Sequence, residues 1–157
     1  MLAMLTGASV LLAVACDENS DDDDSMATGA CDEDERAEIF SADMERTGDE
    51  DLAIFMLNSI SPEPSYIGDN DWLITVRSAA DDSPLSGCSL TIRPCMPDHE
   101  HGSTQPSGAE GDPGVYLVGS VRFIMPGYWE STVTITCSVG DAGEWSDSAI
   151  YGFCVEG

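Results

Sequence analysis

A chain of 157 residues with 30 Asp and Glu against 5 Lys and Arg, every cation an arginine, carries a formal net charge of −25. Nucleic acid and anionic membrane surfaces are thereby excluded as partners, because both are held by clustered Lys and Arg. The charge suits metal ions, cationic partners or a salty medium, or serves solubility alone, and the length has room for one core.

Met1 to Ala15 are small or apolar and uncharged. Fifteen residues fall short of the roughly 20 that a spanning helix needs, so residues 1–15 are expected to be a secretory signal of lipoprotein type. The segment ends Leu12-Ala13-Val14-Ala15-Cys16, which resembles a bacterial lipobox with Cys16 as the lipidated residue. Ordinary cleavage nearby would equally give a secreted protein. From Asp17 to Glu35 ten acidic residues stand without a basic one. Such a run buries too little to fold and repels itself, so residues 16–35 read as a disordered acidic tether. Residues 36–157 are then the folded domain.

Between Arg36 and Gly48 the pattern fits a short helix or an irregular strand. After that the period is two. Leu52–Ile60 is mostly apolar; Trp72, Ile74 and Val76 share a face; Cys88, Leu90 and Ile92 alternate with Ser89, Thr91 and Arg93. Val115–Met125 alternates as well, as does Thr132–Val139, with Val133, Ile135, Cys137 and Val139 facing inward. Ala149–Val155 supplies a last strand. Turn chemistry falls at 68–71, 81–84, 111–114 and 140–143. Short strands at this spacing predict an all-β, immunoglobulin-like two-sheet sandwich.

Both histidines of the chain lie in Cys95-Met96-Pro97-Asp98-His99-Glu100-His101-Gly102. Imidazole suits copper, zinc and nickel, whereas thioether and thiolate favour copper(I). In an extended segment His99 and His101 would leave the same face. Met96 precedes them, Cys95 stands beside it, and Met125 of Met125-Pro126-Gly127-Tyr128-Trp129 would join if the two turns met at one end of the sandwich. That set fits copper(I), and copper(II) would add Asp98 or Glu100. A blue-copper site lacks its distant histidine, and no Cys-x-x-Cys pairs with a spaced histidine pair to make a zinc finger. The competing reading is structural: Met125 is in phase with Val121 and Phe123 as core, and the histidines cap a surface turn with Gly102 at positive φ.

Asn70-Asp71-Trp72, Ser83-Pro84-Leu85, the Met96–Gly102 turn, Gly114-Val115-Tyr116 and Phe123-Ile124-Met125-Pro126-Gly127-Tyr128-Trp129 follow in that order. This series resembles the YtkA-like, or FixH-type, family of small secreted or membrane-anchored β-sandwich domains, over roughly half of the chain, Pro62 to Val139. The paired turns carry the likeness. The resemblance implies a metal role tied to copper handling and cytochrome oxidase assembly. The family's turn often has methionine where this chain has His99, so the ligand set here is richer in histidine.

Six cysteines in a secreted chain read as disulfides. Cys88 and Cys137 both face inward, which predicts an inter-sheet bridge. Cys154, out of phase with its apolar neighbours, is placed to reach Cys31 and staple the acidic arm to the sandwich. A Cys88–Cys95 bridge is excluded, because seven extended residues span about 23 Å and a disulfide tolerates about 7 Å between Cα atoms. With Cys16 lipidated, Cys95 is the odd one beside Met96, either a free thiol open to a soft metal or a partner in a further bridge.

No nucleophile elbow or phosphate loop is present, and no catalytic residue is assigned. The expectation is a periplasmic or cell-surface lipoprotein, reaching the membrane only through a lipid anchor on Cys16. It would bind copper through His99, His101 and Met96, with Met125 and Cys95 as further ligands, for delivery to a metal-acceptor or envelope protein. The alternative is a metal-free structural or interaction module of the cell envelope that uses Tyr128 and Trp129 as a contact surface.

Overall fold

The computed structural model describes Cys31, residues 34–63 and residues 65–157. The signal segment, the lipidation of Cys16 and most of the acidic tether lie outside the described residues. Among the described residues, nine strands make two antiparallel sheets: β1 (Met44–Thr47), β2 (Ala53–Ser61), β3 (Gly68–Ser78), β4 (Ser89–Met96), β5 (His101–Gly102), β6 (Ala109–Glu110), β7 (Val115–Phe123), β8 (Gly127–Ser138) and β9 (Glu144–Val155). One sheet has the order β1-β2-β3-β7-β6, the other β5-β4-β8-β9. Setting aside β1 and β5, the orders β2-β3-β7-β6 and β4-β8-β9 reproduce the four-plus-three strand arrangement of an immunoglobulin constant-type sandwich.

The period-two pattern sorts the side chains as expected. Phe55, Leu57, Trp72, Ile74 and Val76 of the first sheet meet Leu90, Ile92, Val133, Ile135 and Tyr151 of the second in one core. Trp72 stands edge-on to Tyr151 and Phe153 at 6.3 and 5.8 Å. At the start of β8, Trp129 plugs the core against Phe123 at 5.3 Å, and its indole N–H donates to the Met125 carbonyl at 3.0 Å.

Several expectations change. Residues 68–71 open β3 instead of forming a turn, because Asn70 turns inward. Its side chain takes the Tyr66 N–H and donates to the Tyr66 and Gly68 carbonyls, satisfying within the strand what a free turn would give to water. The ambiguous stretch before Gly48 resolves as the edge strand β1. β9 starts five residues earlier than Ala149, and Val139 lies beyond β8, exposed. Cys88 and Cys137 do pair, with Cα atoms 4.5 Å apart, but within one sheet. Ser89 faces Thr136 across β4 and β8, so the two cysteines are direct neighbours on adjacent strands, at about the 4.5 Å of a non-hydrogen-bonded antiparallel pair. Inward phase could not separate that arrangement from a bridge between sheets.

The second bridge, Cys31–Cys154, forms as expected, with Cα atoms 5.5 Å apart. It pins to β9 a residue assigned by composition to the tether. From there the chain follows β9, with Glu38 paired to Phe153, before crossing to the other sheet as β1.

Candidate functional site

The strands' polarity brings the two methionine-bearing turns to one end of the sandwich. β4 runs into Pro97-Asp98-His99-Glu100 and returns as β5, with Met96 opposite His101 and Cys95 opposite Gly102. The His99 N–H closes the turn on the Met96 carbonyl at 3.2 Å. Glu100, at φ 54°, takes the left-handed position expected of Gly102, since that residue reverses the chain and Gly102 is already in the ladder. The second turn joins β7 to β8. Gly127 has φ 136°, and a Cβ there would lie 2.3 Å from the Met96 Cε, so the two turns are in direct contact through Met96.

His99 and His101 come together, though through the turn and not through an extended segment. Their rings are parallel within 4°, with centroids 6.1 Å apart. An imidazole lone pair lies in the plane of its ring, so two stacked, parallel rings do not converge on one ion, and one ring must turn for both nitrogens to reach it. Met96 and His101, directly opposed on neighbouring strands, project from the same face of the sheet. Met96 itself is 4% exposed and belongs to the core, and Met125 packs partly buried against that core. Among the described residues, no group of three or more His, Cys, Asp and Glu is gathered as for a metal ion.

Cys95 is corrected. It is buried and disulfide-bonded, and the described residues include no free cysteine. A disulfide sulfur is not a thiolate, so Cys95 leaves the ligand set. The aromatic contact surface is corrected too. Tyr128 is 6% exposed and Trp129 1%; alternation along β8 is broken at its start, and both rings are covered.

Asp98 is also committed. Arg36 Nη1 and Nη2 donate to its two oxygens at 2.9 and 2.6 Å. Through Nε and Nη2 the same guanidinium grips Asp34, at 2.9 to 3.2 Å and 2.6 Å, and its Cζ lies 4.4 Å from the centre of the Tyr128 ring. Hydrogen bonds from Arg36 hold the Asp34 carboxyl down to about 2 and lower that of Asp98. Burial, then the Glu130 charge and hydrogen bond, pushes the Tyr128 phenol up to about 12. Arg36 was missed from sequence. Its signal was faint: a first cation closing a wholly acidic run. Also missed was Asp147, buried at the opposite end of the sandwich. Its carboxylate accepts the N–H groups of Glu50, Leu52 and Ala53, each at 2.9 Å.

No family model matches the chain, and neither a curated protein nor a solved structure matches it.

Proposed function

We propose that this chain is an extracytoplasmic sandwich domain of YtkA-like character that binds copper at the β4–β5 turn. His99 and His101 are the primary ligands, and Met96 and then Met125 offer thioether sulfur. The observation that carries the reading is the nearness of the two imidazoles, the only two in the sequence, on one turn with Met96 opposite His101. Two neutral nitrogens and a soft sulfur suit copper(I) better than a hard cation. A role in delivery or buffering, with transfer to an acceptor protein, follows from a site at the tip of a turn, open to an incoming ligand. No step of this reading calls for catalysis.

The test is a titration of the purified protein with copper(I) against a competing chelator, beside the His99→Ala/His101→Ala variant. Tight one-to-one binding that the variant loses is expected. Binding that is weak, or equal in the variant, sinks the copper reading. The interaction-module reading would then rest on Tyr66, Ile67 and Ile124, exposed apolar residues in the β2–β3 loop and after β7 at this same end.

A further inference from the structure

Cys95 stands on the outward side of the second sheet. Along β4 it is in phase with Thr91 and Arg93, whereas Leu90, Ile92 and Met96 point into the core. It is nevertheless 6% exposed, and its sulfur is in a disulfide. The N-terminal arm lands on this same face. Cys95 is paired with Glu130 across β4 and β8, and Glu130 with Gly152 across β8 and β9. The Gly152 carbonyl takes the Glu38 N–H of the arm at 2.8 Å. Two residues further along β9, and on the same side, Cys154 holds Cys31. Arg36 lies over Tyr128, the direct neighbour of Cys154 on β8. Two strand spacings across the sheet and two residues along it put Cys95 about 12 Å from Cys154.

The chain has six cysteines. The Cys31–Cys154 and Cys88–Cys137 bridges use four, Cys95 is bonded as well, and Cys16 is the one that remains. We propose that Cys16 is the disulfide partner of Cys95, so that its sulfur is committed to a protein bridge and not to a lipid. Chain length permits this: the 15 residues that separate Cys16 from Cys31 reach about 50 Å when extended, against the 12 Å between the two anchoring points. A second copy is the other source of a partner sulfur. Its approach is opposed by the burial of Cys95 and by the net −25 that each copy carries. In forming the bridge two thiols are oxidised, and their two electrons and two protons pass to a disulfide-donating oxidant, which leaves as a dithiol. A thioether to lipid on Cys16 would occupy the same sulfur, so the two modifications exclude each other. The bridge rests on sulfur connectivity alone and is independent of the metal reading.

The experiment uses the full chain, exported with residues 1–15 in place and purified without reductant. It is digested with pepsin at low pH, where thiolate is scarce and exchange between bridges is suppressed, and the peptides are read by mass spectrometry. A linked pair carrying Cys16 and Cys95 is expected, and reduction should separate it. In the denatured, unreduced wild type no cysteine should take up a maleimide, whereas Cys16→Ser should gain one reactive thiol, at Cys95. The wild-type digest needs no variant to fold. The proposal is overturned if Cys16 carries a lipid or is missing from the exported chain. It is equally overturned if Cys95 is joined to a second chain, seen as a dimer that reduction dissolves, or if Cys95 stays unreactive in Cys16→Ser.

Discussion

At the scale of single residues, the three acidic side chains that matter most are held in two opposite ways. Asp147 is 2% exposed and lies in a cup of backbone N–H groups from the β1–β2 turn. A Cβ on Gly48 would fall 2.1 Å from its carboxylate, so the turn can close over it only with glycine there. Asp147→Ala orphans three buried or half-buried donors and should cost about 3–5 kcal/mol of stability; Asp147→Asn, which brings N–H donors to N–H donors, should also destabilise. Urea unfolding measures both, and a loss within about 0.5 kcal/mol would mean the turn finds water instead. Asp98 is exposed and Asp34 half-buried, and both are held by Arg36. Their folded pKa values lie below the ordinary carboxylate value of 3.8. The stability they contribute is therefore present above that value and lost as pH falls through the folded one, about 2 for Asp34. The Tm difference between wild type and Arg36→Gln should be constant near neutrality and close between about pH 4 and pH 2. A difference that persisted in acid would assign Arg36 to packing on Tyr128 instead.

At the scale of elements, β9 is a sheet edge of 12 residues, long enough to recruit another chain. The protein covers that edge with its own connections. The Ser148 carbonyl takes the Asp49 N–H at 2.9 Å, Gly152 takes Glu38 at 2.8 Å, and Glu156 takes Ile67 at 2.9 Å. These are every second outward position, four residues apart, each covered by a different segment. On the other side of the same sheet, the Cys88–Cys137 bridge closes 49 residues of chain. On a chain-entropy basis its removal, as Cys88→Ala/Cys137→Ala, should cost about 4 kcal/mol. Chemical denaturation of the oxidised wild type against the variant reads that number. A cost below about 1 kcal/mol would mean that the β4–β8 ladder alone restrains the unfolded chain.

At the scale of the whole molecule, the few cations are spent locally. Arg36, Arg46, Arg77 and Arg122 each face an acidic side chain within 4 Å, which still leaves a net −25. Self-repulsion of that size opposes the compact state, and salt shortens its range from about 30 Å at 0.01 M to about 3 Å at 1 M. Raising NaCl across that interval should raise Tm, because the repulsion is spread over the whole surface while the exposed ion pairs contribute little each. A falling Tm would show that the arginine pairs dominate.

The alternation of apolar and polar residues by itself determined the sheets, the inward faces and hence the sandwich, because side-chain direction in a strand depends only on parity. It also determined that the only histidines share one turn, and it brought Cys31 to Cys154 through the odd phase of Cys154. Parity says nothing about which strand lies beside which. Only the tertiary structure decided that Cys88 and Cys137 are neighbours in one sheet, that Cys95 is bonded and buried, and that Tyr128 and Trp129 are covered. The same holds for Asp147 and for the grip of Arg36 on Asp98, because these contacts join positions far apart in the chain, and their partners are chosen by packing in three dimensions, not by any local pattern.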